Sequence, residues 1–257
     1  MKADILANYQ GPRASFARLW TQDCSEPILL FSGQSGSGKT SLLRNCRRMA
    51  PTDAYQIFVD CKQDGVNAAE VFSRTVHHAG RDKLPAFSRW LQQHNVEIRD
   101  NQIEGNSNQI NVVLNSGGKE EREERRIMLT DAWLQDTDQL DNPMLLAVDT
   151  YEKAADDLRT WLNSIIVRLP RASRQLRLVV AGQEIPSTDT CEDWADCCCE
   201  HPLYGVPDAE HWLPVVKALG LRVPVDPPLT FLAGICHAMQ GNPAKIIEII
   251  KTFPRLS

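Results

Sequence analysis

The apolar positions of this chain fall into short continuous runs separated by longer stretches with a helical period. Ile28, Leu29, Leu30 and Phe31 follow Glu26-Pro27 and lead through Ser32 into a glycine-rich segment, the pattern of a strand buried on both faces. Tyr55–Asp60, Met144–Asp149 and residues 176–181 repeat that pattern. Residues 40–49, 67–79 and 154–169 instead space their apolar side chains three and four apart, with Pro51 stopping the first helix and Asn67 and Gly80 bracketing the second. Strands alternating with helices predict an α/β fold, a parallel sheet covered by helices on both faces.

Two regions depart from this rhythm. Between residues 96 and 118, Val96, Ile98, Ile103, Ile110, Val112 and Leu114 alternate with polar residues around a centre of Asn, Gly and Ser, which predicts an inserted β-hairpin with one wet face. The mixed-charge run 119–126 reads as the solvated start of a helix carrying Met128, Leu129, Trp133 and Leu134. After residue 205 the spacing is helical over 207–219, 229–239 and 243–253. The expected organisation is an α/β core over 1–205, with an insertion at about 96–139, and a small helical lid over 206–257.

Composition narrows the function. The chain has 257 residues with 28 Lys and Arg against 33 Asp and Glu, a net charge of −5, and no cluster of basic residues beyond short pairs such as Arg47-Arg48. Nucleic acid is therefore not an expected partner. No apolar run approaches the roughly 20 residues that cross a bilayer, and Asp4 interrupts the start, so no membrane association and a cytoplasmic location are expected. Cys24, Cys46, Cys61 and Cys236 are scattered and read as reduced thiols. Cys191, Cys197, Cys198 and Cys199 lie near His201, but adjacent cysteines diverge and no CxxC pair accompanies them, so they read as a Cys-rich loop rather than a zinc site.

The strongest chemical signal is Gly33-Gln34-Ser35-Gly36-Ser37-Gly38-Lys39-Thr40, a complete G-x-x-x-x-G-K-[ST] motif between a buried strand and a helix. Its glycines allow a tight turn whose N–H groups, with the helix N-terminus, face phosphate. Lys39 is placed to reach the β- and γ-phosphates, Thr40 to ligate magnesium, and Ser41 follows in the first turn. Asp149, ending an apolar strand, is the carboxylate suited to hold the metal. Glu152 is placed either to activate water or to cap the following helix. Asp60, at another strand end, reads as a turn residue.

This phosphate loop, the D-x-x-E form Asp149-Thr150-Tyr151-Glu152, the strand over 176–181 and Gly241-Asn242-Pro243 together resemble the STAND NTPases, signal-transduction ATPases related to the AAA+ and NACHT/NB-ARC groups. Tyr9-Gln10-Gly11-Pro12-Arg13 resembles that family's lead-in to the first strand. The resemblance implies ATP or ADP with Mg2+, nucleotide contacts from Arg13 and from Pro243 against adenine, and a switch role in signalling or bacterial defence through other domains or self-association. It departs at Gln183, where bacterial relatives often place an arginine reading the γ-phosphate, and at Thr150, where many AAA+ ATPases have an acid; hydrolysis is expected to be slow. A nonhydrolytic interaction module and a P-loop kinase are the competing expectations.

Overall fold

The computed structural model describes residues 6–21, 24–63, 65–97, 102–187 and 196–256. Five parallel strands form one sheet: β1 (Ile28–Ser32), β2 (Tyr55–Asp60), β3 (Met144–Asp149), β4 (Leu176–Gly182) and β5 (Cys198–Pro202), in the spatial order β2-β3-β4-β1-β5. The helices are α1 (Gln10–Arg18), α2 (Lys39–Met49), α3 (Ala68–Ala79), α4 (Pro85–Gln93), α5 (Ile103–Asn115), α6 (Lys119–Asp138), α7 (Asp156–Ala172), α8 (Ala209–Ala218), α9 (Pro228–Ala238) and α10 (Pro243–Ile250). Parallel strands need crossovers, which α2 supplies from β1 to β2, α3 to α6 from β2 to β3, and α7 from β3 to β4.

The two-residue period of the strands divides the helices into two layers. Leu146 and Val148 of β3 face a core built with Phe72, Trp133 and Trp161 from α3, α6 and α7, whereas Leu145 and Ala147 face Phe16, Leu42, Trp212 and Ile246 from α1, α2, α8 and α10. The two indoles stay satisfied in the first core: Trp133 Nε1 donates to Thr75 Oγ1 at 3.2 Å and Trp161 Nε1 to Thr130 Oγ1 at 2.9 Å. Asn67 caps α3 as expected, its side chain accepting the Glu70 N–H at 3.2 Å.

Two expectations are corrected. Of the segment read as a β-hairpin, residues 98–101 lie outside the described residues and 103–115 are helical: α5 turns Asn106, Ser107, Ile110 and Leu114 inward and leaves Val112 69% exposed. Small polar residues serve as half of its buried face, with the Ile103 carbonyl accepting from Ser73 Oγ at 2.8 Å, so the apolar positions alone mimic a period of two. The stretch read as a Cys-rich loop contains β5, whose residues 198–202 pair in register with 28–32 of β1. Only Cys198 of its five residues is buried, so an edge strand carries almost no apolar signature here. Among the described residues no helix is long and apolar enough to cross a membrane, and no cluster of His, Cys, Asp and Glu is arranged to hold a metal; Cys191 lies outside them.

Candidate functional site

All strands point their C-terminal ends the same way, so the turn after β1, the end of β3 and the end of β4 meet along one edge of the sheet. The turn from Gly33 to Gly38 needs a left-handed backbone at Gly36 (φ +81°) and Gly38 (φ +91°), which glycine adopts without cost. Every carbonyl from residue 33 to residue 37 has a donor. Lys39 Nζ donates to the Gly33 and Gln34 carbonyls at 2.6 and 2.8 Å. Asn242 Nδ2 donates to Ser35 O at 3.2 Å, the Ala244 N–H to Gly36 O at 3.1 Å, and the Tyr9 hydroxyl to Ser37 O. In a trans peptide the N–H opposes the C=O, so tying these carbonyls turns the next N–H groups toward the opposite side. The Ser37 N–H closes the turn onto Gln34 O at 3.2 Å.

That arrangement borders a cavity of about 450 Å³ with two kinds of lining. Leu6, Tyr9, Val206, Trp212, Pro243 and Ile247 supply apolar and aromatic surface; Lys39, Thr40, Asp149, Glu152, Gln183 and Lys62 supply charge and hydrogen bonds. Thr40 Oγ1 donates to Asp149 Oδ1 at 3.2 Å, so hydroxyl and carboxylate converge as a hard, all-oxygen donor pair suited to magnesium. The cradle also leaves no room for a side chain: a Cβ at Gly38 would stand 3.3 Å from the Tyr9 ring, and one at Gly36 would stand 2.6 Å from Asn242 Oδ1. Residues and loop therefore fit a nucleoside phosphate with its metal.

No family model and no curated protein matches the chain. Among solved structures it is similar to the Walker-type ATPase PABY2304 of Pyrococcus abyssi, with a TM-score of 0.47 and 11% identity over 95% of this chain and 71% of that one. It is also similar to Cdc6p from Pyrobaculum aerophilum, with a TM-score of 0.43 and 12% identity over 94% of this chain and 65% of that one, less than two thirds of its length. Likenesses this loose carry no functional weight, and the site's own geometry is what speaks to chemistry.

The charges of the site are strained. Asp149 is 2% exposed, and burial raises its carboxyl above the usual range against the hydrogen bonds from Thr40 and from the Thr150 N–H at 2.9 Å. The native carboxyl thus holds its proton more tightly than an unfolded one, so its contribution to folding stability falls as pH rises through that window. Burial likewise lowers the Lys39 ammonium, opposed by Glu152 and Asp149. For Glu152 burial pulls upward, yet the Gln183 N–H at 2.8 Å and the Gln183 side-chain amide at 3.1 Å hold its carboxyl below the usual range. Gln183 does not face the loop as a weak substitute for arginine; it grips both oxygens of Glu152.

Of the residues expected from sequence, Ser35, Gly36, Gly38, Lys39, Thr40, Ser41, Asp149, Glu152 and Pro243 border this one cavity. Gly33, Gln34 and Ser37 border an adjoining cavity of about 650 Å³ on the other flank of the loop. Arg13 borders neither; it stands on α1, with its charge acting on Cys46 of α2. Asp60 is a turn residue, its Oδ1 accepting the Lys62 N–H at 3.0 Å. Tyr9, Lys62, Trp212 and Asn242 were not singled out for this cavity, and their signals are faint: Asn242 reads as an ordinary helix cap, a role it also fills by accepting the Lys245 N–H at 3.2 Å.

The contact between Asn242 and the loop is testable. Gly36→Ala forces a left-handed backbone onto alanine and drives its Cβ into Asn242, so stability should fall by about 1–2 kcal/mol and residues 242–250 should become easier to cleave. Gly65→Ala is the control, because it has φ +80° and nothing within 4 Å of the added Cβ. Equal loss of stability and unchanged cleavage in both variants would show that the Asn242 contact holds nothing in place.

Proposed function

We propose that the chain is the ATP- and ADP-binding switch module of a STAND-like signalling or defence NTPase, with slow, magnesium-dependent hydrolysis. The observation that carries the reading is the tying of five successive loop carbonyls, 33 to 37, beside Lys39 and the Thr40–Asp149 pair. Loop N–H groups and Lys39 would hold the phosphates, Thr40 and Asp149 the metal, and Tyr9, Trp212 and Pro243 the base. Bound magnesium supplies neutralisation of phosphate charge at that point. Glu152 is ionised at neutral pH and is the one carboxylate besides Asp149 that borders the cavity among the described residues, which suits it to accept a proton from attacking water. Its present attachment to Gln183 favours a slow reaction, since those bonds must lengthen before Glu152 acts as a base.

A switch also needs a part that responds to the nucleotide. Residues 206–257 bring α10 onto the loop through Asn242 and Ala244, and Val206, Trp212, Pro243 and Ile247 into the cavity wall. This is the support for reading that segment as a lid whose position other domains or a second copy would sense. Adding ADP or ATP should slow hydrogen exchange across 206–257, because a ligand shifts an equilibrium only through contacts that differ between its states. Identical exchange in free and saturated protein, with binding confirmed calorimetrically, would mean a rigid bundle and would remove the lid. Phosphate release that requires an added acceptor would favour a phosphotransferase instead.

A further inference from the structure

The cavity holds three lysines, Lys39, Lys62 and Lys153, and no arginine among the described residues that border it. A triphosphate differs from a diphosphate by a terminal anionic group, and Gln183, at the position where a charged reader was expected, is spent on Glu152. Some other cation must meet that group if the site is to tell the two apart. Lys153 borders a separate cavity of about 370 Å³ as well, together with the amides of Asn67, Asn111 and Asn115, so its side chain is shared between two openings.

Lys62 is placed differently. The pairing of β2 with β3 brings Asp60 beside Asp149 and continues one residue further, with the Cys61 N–H donating to Asp149 O at 3.0 Å. The next turn is closed twice, by the Lys62 N–H on Asp60 Oδ1 at 3.0 Å and by the Gln63 N–H on Asp60 O at 3.0 Å. Cys61 is only 5% exposed, so the backbone is anchored from below while Lys62 is left exposed at the cavity rim. Its ammonium forms no ion pair with another described residue. It borders the same cavity as Lys39, Thr40 and Asp149.

We propose that Lys62 is the cation that recognises the terminal phosphate of a bound nucleoside triphosphate and so distinguishes it from the diphosphate. Resting on the nucleotide reading above, the assignment follows from a doubly closed turn that leaves Lys62, with no ion pair to a described residue, at the border of the cavity that also holds Thr40 and Asp149. Lys39 serves both nucleotides because it lies within the loop itself; Lys62 has a partner only when the third phosphate is present.

Calorimetric titration with ADP and with a nonhydrolysable ATP analogue, each with Mg2+, tests this in the wild type, Lys62→Ala and Lys62→Arg. Lys62→Ala should weaken the triphosphate analogue about tenfold while changing ADP by less than about twofold, and Lys62→Arg should restore most of the difference. Equal weakening of both nucleotides, or no change in either, would overturn the assignment while leaving the nucleotide site standing. Binding of neither nucleotide by the wild type would remove the nucleotide reading, and the assignment with it. Because this readout is affinity, it does not depend on whether the protein turns ATP over.

Discussion

Replacing Lys39 by Ala should weaken both ATP and ADP at least about a hundredfold, with the loss visible in calorimetry as a shift of roughly 2.7 kcal/mol or more. The magnitude combines two effects. The ammonium is the cation built into the loop, and charge-assisted bonds to phosphate are each worth about 1.5–3 kcal/mol. Lys39 also donates to the Gly33 and Gln34 carbonyls, so its removal frees one end of the turn and lets those peptides rotate away from the arrangement that faces anions. Lys39→Arg is an informative companion, because the longer planar group keeps the charge while failing to fit a side chain only 9% exposed. Unchanged affinity in Lys39→Ala would eliminate the loop as the phosphate site.

Glu152→Gln should keep nucleotide affinity within about threefold and lower turnover by roughly 10²–10⁴, the usual range for loss of a positioned general base. Asp149→Asn should act in the opposite sense, weakening magnesium-dependent binding itself, because Asp149 Oδ1 is the oxygen that meets Thr40. The grip of Gln183 on Glu152 adds a second variant. Gln183→Ala removes the side-chain donor to Glu152 Oε1 and keeps the backbone N–H to Oε2, so if the side-chain attachment restrains Glu152, turnover should rise or hold rather than fall. Equal turnover in wild type and Glu152→Gln, at a measurable wild-type rate, would leave Glu152 as a structural acceptor for the end of β4.

The parts of this molecule that were legible in the sequence are those whose signal is carried by side chains in regular spacing. The inner strands β1, β3 and β4 announce themselves because a parallel strand covered on both faces is a nearly continuous apolar run, as Met144–Asp149 shows with all six residues buried, and the edge strand β2 because Ile57, Phe58 and Val59 still form such a run. The helix α5 was misread because two of its inward positions, Asn106 and Ser107, are polar, and β5 because an edge strand needs no apolar run. In the site, the loop, Thr40 and Asp149 were readable from motif and context. The Gln183 grip was not, since it depends on β4 ending beside the turn after β3. Nor was the Ala244 contact, which is made by a backbone N–H that any residue other than proline possesses.

The donors that tie the loop come from both ends of the sequence, and this sets an order of events in synthesis. Tyr9 lies 28 residues before Ser37, but Asn242 follows Ser35 by 207 residues. A ribosome adding about 5–20 residues per second delivers Asn242 some 10–40 s after Ser35. Throughout that interval β1, the turn and α2 exist without the partners of the Ser35 and Gly36 carbonyls. A growing or truncated chain that has not yet docked α10 therefore lacks the finished cradle, and on the proposed reading its competence to hold nucleotide would arrive with α10 rather than with the motif.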